Sequence, residues 1–125
     1  MTATATTLTT SLTGAWRGSY THNSGTQRTE FSATLEQYGA TLSGLIEEYS
    51  EEPDGVGRVH FARVEGRVAG ASILFAKTYS GRAGWVHTID YEGDLADDGN
   101  LIVGIWRFSA TWVGAFEMRR ASPAT

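Results

Sequence analysis

The sequence predicts an all-β protein: a single antiparallel up-and-down eight-stranded β-barrel with a central cavity. Three observations predict it. Apolar residues recur with a period of two rather than 3.6. Turn signals return about every ten residues, so the links between strands are short. The 15 glycines and only 2 prolines suit strands that bend and pack closely. A meander of this many strands closes most simply into a barrel, which leaves no edge exposed. A two-sheet sandwich would usually require longer crossover loops.

The strands are expected at 14–22, 28–38, 41–51, 58–68, 71–80, 84–93, 100–109 and 112–120. In a barrel, alternate residues face the lumen. Strand one directs Trp16, Gly18 and Tyr20 inward, and strand two directs Phe31, Ala33, Leu35 and Gln37. Strand three follows with Leu42, Gly44, Ile46 and Glu48. Strand four is ambiguous: Val59 and Phe61 share a face with Arg63 and Glu65, and a bulge near Arg63 would switch the parity. Strand five contributes Ile73, Phe75, Lys77 and Tyr79, and strand six Trp85, His87, Ile89, Tyr91 and Gly93. Strand seven adds Ile102, Gly104, Trp106 and Phe108, and strand eight Trp112, Gly114, Phe116, Met118 and Arg120.

Tyr38-Gly39-Ala40, Ala69-Gly70 and Asp97-Asp98-Gly99-Asn100 read as tight turns, because glycine and asparagine tolerate positive φ. Asn23-Ser24-Gly25 and Ser80-Gly81-Arg82-Ala83 read as longer hairpin loops, and a short helical turn fits 50–57. Residues 1–13 are expected to be a flexible N-terminal tail, 14–120 the barrel and 121–125 a C-terminal tail.

Composition limits the function. The net charge of −4 and the lack of any Lys/Arg run argue against nucleic acid as a partner. No run is long enough to span a membrane, and the Thr- and Ala-rich start does not read as a secretory signal, so a cytoplasmic location is the default expectation. The absence of cysteine excludes disulfides and thiolate metal ligands, and the three histidines lack metal-ligand spacing, so no metal or cofactor is expected.

The inward face combines large aromatics, glycines and a few polar groups. Glycine beside an aromatic either matches shape in a filled core or leaves a gap for a ligand. An aromatic cavity with converging polar groups is the usual chemistry of a small-molecule site. Trp106, Tyr91, Phe75, Phe116, Tyr20, His87 and Met118 are the candidate ligand contacts. Lys77, Tyr79 and Glu48 are the candidate catalytic groups: Lys77 as general acid, Schiff-base amine or carboxylate anchor, Glu48 as general base. Their plain alternatives are a rim ammonium in water and a carboxylate of the solvated acidic run around Glu47 and Glu51. Lys77 and Glu48 would pair if they meet. On the outer face, Leu45, Leu101, Val103, Ile105 and Val113 form an apolar strip that suits a homodimer or homotetramer through strands seven and eight.

Gly14-Ala15-Trp16 opening the first strand, with Arg119 or Arg120 closing the last, resembles the calycin signature. That resemblance implies a basic side chain packed over the indole at the closed end, with Arg120 the better candidate by parity. Within the calycins the avidin-like pattern is similar: Leu42-Ser43-Gly44, Tyr91-Glu92-Gly93 and Ile102-Val103-Gly104-Ile105-Trp106 match its strands in order. The resemblance implies ligand stacking at Trp106 and Tyr91. It does not extend to biotin, because Gly18 and Ile46 stand where an avidin has polar ligands for the ureido ring.

Three functions are therefore expected to compete. The first is binding of a small, mostly apolar organic molecule inside the barrel. The second is a cofactor-independent cyclase or isomerase using the same cavity, as in ring closure by cycloaddition. The third is an oligomeric interaction module with a filled barrel.

Overall fold

A computed structural model of the protein describes residues 11–23, 25, 28–51, 57–79 and 88–121. Eight strands follow one another: β1 (Gly14–His22), β2 (Arg28–Tyr38), β3 (Thr41–Glu51), β4 (Gly57–Ala69), β5 (Ser72–Tyr79), β6 (Thr88–Ala96), β7 (Leu101–Arg107) and β8 (Val113–Arg120). Each pairs antiparallel with its neighbours in sequence, and β8 returns to β1, so the sheet is a closed barrel with the expected topology. Alternation is strict on β2, where Phe31, Ala33 and Leu35 are buried and the residues between them are exposed. Two-residue links at 39–40 and 70–71 hold Gly39 at φ +59° and Gly70 at φ +62°, a region closed to most side chains. The β6–β7 link, expected as a tight turn over 97–100, is a short 3-10 turn, Asp97–Gly99, closed by Asn100.

The structure resolves the parity of β4 without a bulge. β3 and β4 pair continuously from Thr41↔Arg67 to Glu51↔Gly57. Ala62, Val64 and Val68 face inward and are buried, whereas Val59 and Phe61 are each 51% exposed. Sequence alternation misleads here because small residues face the lumen and large ones face out. β6 extends to Ala96, three residues past the expected end, because Asp94↔Val103 and Ala96↔Leu101 continue the ladder to β7. β7 ends at Arg107 and β8 begins at Val113, so Phe108 and Trp112 lie in the link and are exposed rather than inward. Residues 84–87, with Trp85 and His87, and most of the expected helical turn at 50–57 lie outside the described residues.

One end of the barrel is plugged. Leu12 is fully buried. Its N–H donates to Gln37 Oε1 at 2.9 Å, and its carbonyl accepts from Trp16 Nε1 at 2.9 Å. The Arg120 guanidinium lies 4.7 Å from the Trp16 ring centroid and donates through Nε to the Gly99 carbonyl at 2.9 Å and through Nη2 to the Ser11 carbonyl at 2.5 Å. Residues 11–13, read as tail from the sequence, thus seal the end where β2 turns into β3.

Candidate functional site

The polar inward residues meet toward the opposite end. Glu48 stands near the end of β3, Lys77 and Tyr79 at the end of β5, and Tyr20 on β1. Side chains from these three strands meet across the lumen. Glu48 is 4% exposed and Lys77 1%, so the expectation of a rim ammonium in water is replaced by a buried ion pair. Lys77 Nζ lies 2.5 Å from Glu48 Oε2. The Tyr20 hydroxyl donates to Glu48 Oε1 at 2.8 Å, and the Tyr79 hydroxyl reaches both oxygens, at 2.9 and 2.8 Å. Every oxygen of the carboxylate is satisfied. The ammonium also lies 4.6 Å from the Tyr20 ring, 4.7 Å from Tyr79 and 5.2 Å from Tyr91, an aromatic cage of the kind that holds cations.

Electrostatics follow from burial. Desolvation lowers the Lys77 pKa, and the Glu48 carboxylate opposes that shift without cancelling it. Burial, then the Glu48 charge, pushes the Tyr20 hydroxyl up to about 12. The same causes raise Tyr79, and burial raises Tyr91 well above the ordinary value. All three tyrosines therefore remain protonated, and Tyr20 and Tyr79 act as donors to Glu48.

The candidate aromatics attach to this cluster. Phase by phase along the lumen, Tyr91 stacks on Phe75 at 4.7 Å, and Phe116 meets Tyr91 edge-on at 4.9 Å. Trp106 meets Tyr20 edge-on at 5.8 Å and donates through Nε1 to the Thr21 carbonyl at 3.0 Å. Met118 lies deeper, paired with Gly18 and Ile102, and is fully buried. His87 lies outside the described residues.

The glycines match shape rather than leave a gap. A Cβ on Gly18 would stand 2.5 Å from the Phe31 ring, and one on Gly66 2.5 Å from Phe75 Cβ. A Cβ on Gly93 would meet Ile102 at 2.8 Å and Phe116 at 3.0 Å. Side chains pack against the glycines at those levels, and Tyr20 and Tyr79, toward the Glu48 end, are only partly buried. On the outer wall, a groove of about 510 Å³ crosses β4 to β7, lined by Arg67, Leu74, Glu92 and Ile105 among others.

Three features were not read from the sequence. His22, on the inward parity of β1, packs its ring 4.2 Å from Trp112 and 5.9 Å from Trp106. His60 shares the inward face of β4 opposite Glu48. Most telling, Lys77 is the only lysine among the 10 basic residues; the other nine are arginines. That signal is in the sequence but disappears when lysine and arginine are counted together. Among the described residues, no group of three or more His, Asp or Glu converges as a metal site.

No family model and no curated protein matches the chain. Among solved structures, a redesigned β-barrel superposes with a TM-score of 0.70 at 15% identity, covering 89% of this chain and 92% of that one. A de novo designed fluorescence-activating β-barrel superposes with a TM-score of 0.57 at 17% identity, covering 86% and 92%. At such identities the likeness is one of fold: this chain, like those proteins, is a β-barrel.

Proposed function

We propose that the protein binds a small, mostly apolar organic molecule at the Glu48 end of the barrel, against the Lys77–Glu48 pair. The observation that supports this most is the pair itself. Burying two charges is costly, and apolar replacements of similar volume are often neutral or more stable by about 1–4 kcal/mol. Stability alone therefore gives little reason to keep them there, whereas a buried charged pair walled by aromatics suits ligand recognition. Trp106, Tyr91, Tyr20 and Tyr79 supply contact area, and Lys77 with the tyrosine hydroxyls orients a polar end. The fluorescence-activating design with the same fold is consistent with that use of a barrel. The Arg120–Trp16 packing supports reading the chain as calycin-like.

Saturation-transfer NMR with benzyl alcohol and related neutral aromatics tests the reading. We expect transfer to the probe, weakened by Trp106→Ala and unaffected by Leu74→Asp on the outer wall. Absence of transfer across the probe series contradicts it.

The outer wall favours a second, compatible reading. Val103 and Ile105 are 39% and 45% exposed on β7, which suits self-association through β7 and β8. Sedimentation velocity should then give an oligomer that Ile105→Lys dissociates. A monomer at every concentration contradicts this reading.

A further inference from the structure

We propose that Lys77 is a covalent attachment site, whose amine condenses with the carbonyl carbon of an aldehyde or ketone borne on an apolar body. This rests on the binding reading above and adds the ligand's chemical class.

Four observations lead here. The chain uses arginine for its other nine basic residues and reserves its one lysine for the barrel interior. Arginine would serve better for a merely structural ion pair, because its planar fork binds a carboxylate at two points and it is more weakly hydrated and keeps its charge when buried; only an amine forms an imine. A proton acceptor is in place, with Glu48 Oε2 at 2.5 Å. The rings of Tyr20, Tyr79 and Tyr91 surround Nζ at 4.6–5.2 Å, and such a cage suits an iminium as well as an ammonium. Burial also lowers the Lys77 pKa, which favours the neutral nucleophile.

The step balances. The Lys77 ammonium gives one proton to Glu48, and the neutral amine adds through its lone pair to the carbonyl carbon. The carbonyl π pair moves to oxygen. That oxygen takes up one proton from Glu48 and the second from the nitrogen by way of the same carboxylate, and leaves as water while the C=N bond forms. The product is an iminium that keeps one N–H against the Glu48 carboxylate. One water is released, the net charge is unchanged, and no oxidant or reductant is consumed. Tyr79, whose hydroxyl reaches both Glu48 oxygens, holds the carboxylate in position throughout.

The test uses the full chain, benzaldehyde and sodium cyanoborohydride near neutral pH, with peptide mapping by mass spectrometry. Hydride reduces the iminium to a stable benzylamine. Besides the α-amine at the N-terminus, Lys77 is the only primary amine. We expect benzylation of Lys77 to exceed that of the α-amine and to be faster than in the urea-unfolded chain. Glu48→Gln, with its fold checked by circular dichroism, should slow it about 100-fold. Lys77→Arg should leave only the α-amine modified. If benzyl alcohol shows saturation transfer while Lys77 remains unmodified, the imine is overturned and the binding reading stands. If neither occurs, both fall. Modification no faster in the folded than in the unfolded protein also overturns the proposal.

Discussion

Lys77 and Glu48 are each expensive to bury alone and tolerable together. Lys77→Met leaves the carboxylate with only its tyrosine donors and should destabilise the protein by about 3–5 kcal/mol. Adding Glu48→Leu should recover most of that loss, and urea unfolding of the two variants measures the coupling. The tyrosines set the alkaline limit. Tyr20 is raised from 10.0 to about 12 in the folded state, so its contribution is fully present below pH 10 and is lost as pH rises from 10 through 12. Tyr79 and Tyr91 shift in the same direction and reinforce the effect. Tyrosinate absorbance should therefore stay below the full value for five tyrosines until the chain unfolds, and Tyr20→Phe should flatten the loss of stability above pH 10. Parity alone placed Lys77, Glu48, Tyr20 and Tyr79 on the inward face. It could not give their heights in the barrel, which depend on the register between strands distant in sequence, so their convergence became visible only in the structure.

At the level of strands, glycine and aromatic positions interlock. Gly104 pairs with Gly93, and a Cβ on Gly104 would lie 2.6 Å from the Gly93 Cα and closer still to the Glu92 carbonyl oxygen. Gly104→Ala should therefore cost about 1–3 kcal/mol by overpacking, read as a lower urea midpoint with an unchanged slope. A gap-lining glycine would instead accept alanine at little cost. Strand boundaries were legible where large residues alternate with polar ones, as on β2 and β3. On β4 the bounds were legible but the parity was not, because the inward Ala62, Val64 and Gly66 are small; the boundary was misread at the β7–β8 link, where Phe108 and Trp112 continue the aromatic pattern after the ladder has ended.

The whole molecule is a barrel with two unlike ends. At one, Ser11 to Thr13 and Arg120 cover Trp16; at the other, the ion pair and tyrosines lie toward the strand ends at His22, Glu51 and Tyr79. Composition gave no warning that residues 11–13 pack, because a single buried leucine in a Thr-rich stretch has no periodicity to announce it. Leu12→Ala should cost about 2–5 kcal/mol in urea unfolding, whereas a true tail would tolerate it.

Because the chain has one lysine, selective 13C labelling at lysine Cε yields a single resonance that reports on the cluster. This resonance should be shifted by the surrounding tyrosine rings and titrate below the ordinary 10.5. An unshifted signal titrating at the ordinary value would place the ammonium in water and contradict the buried pair on which the site depends.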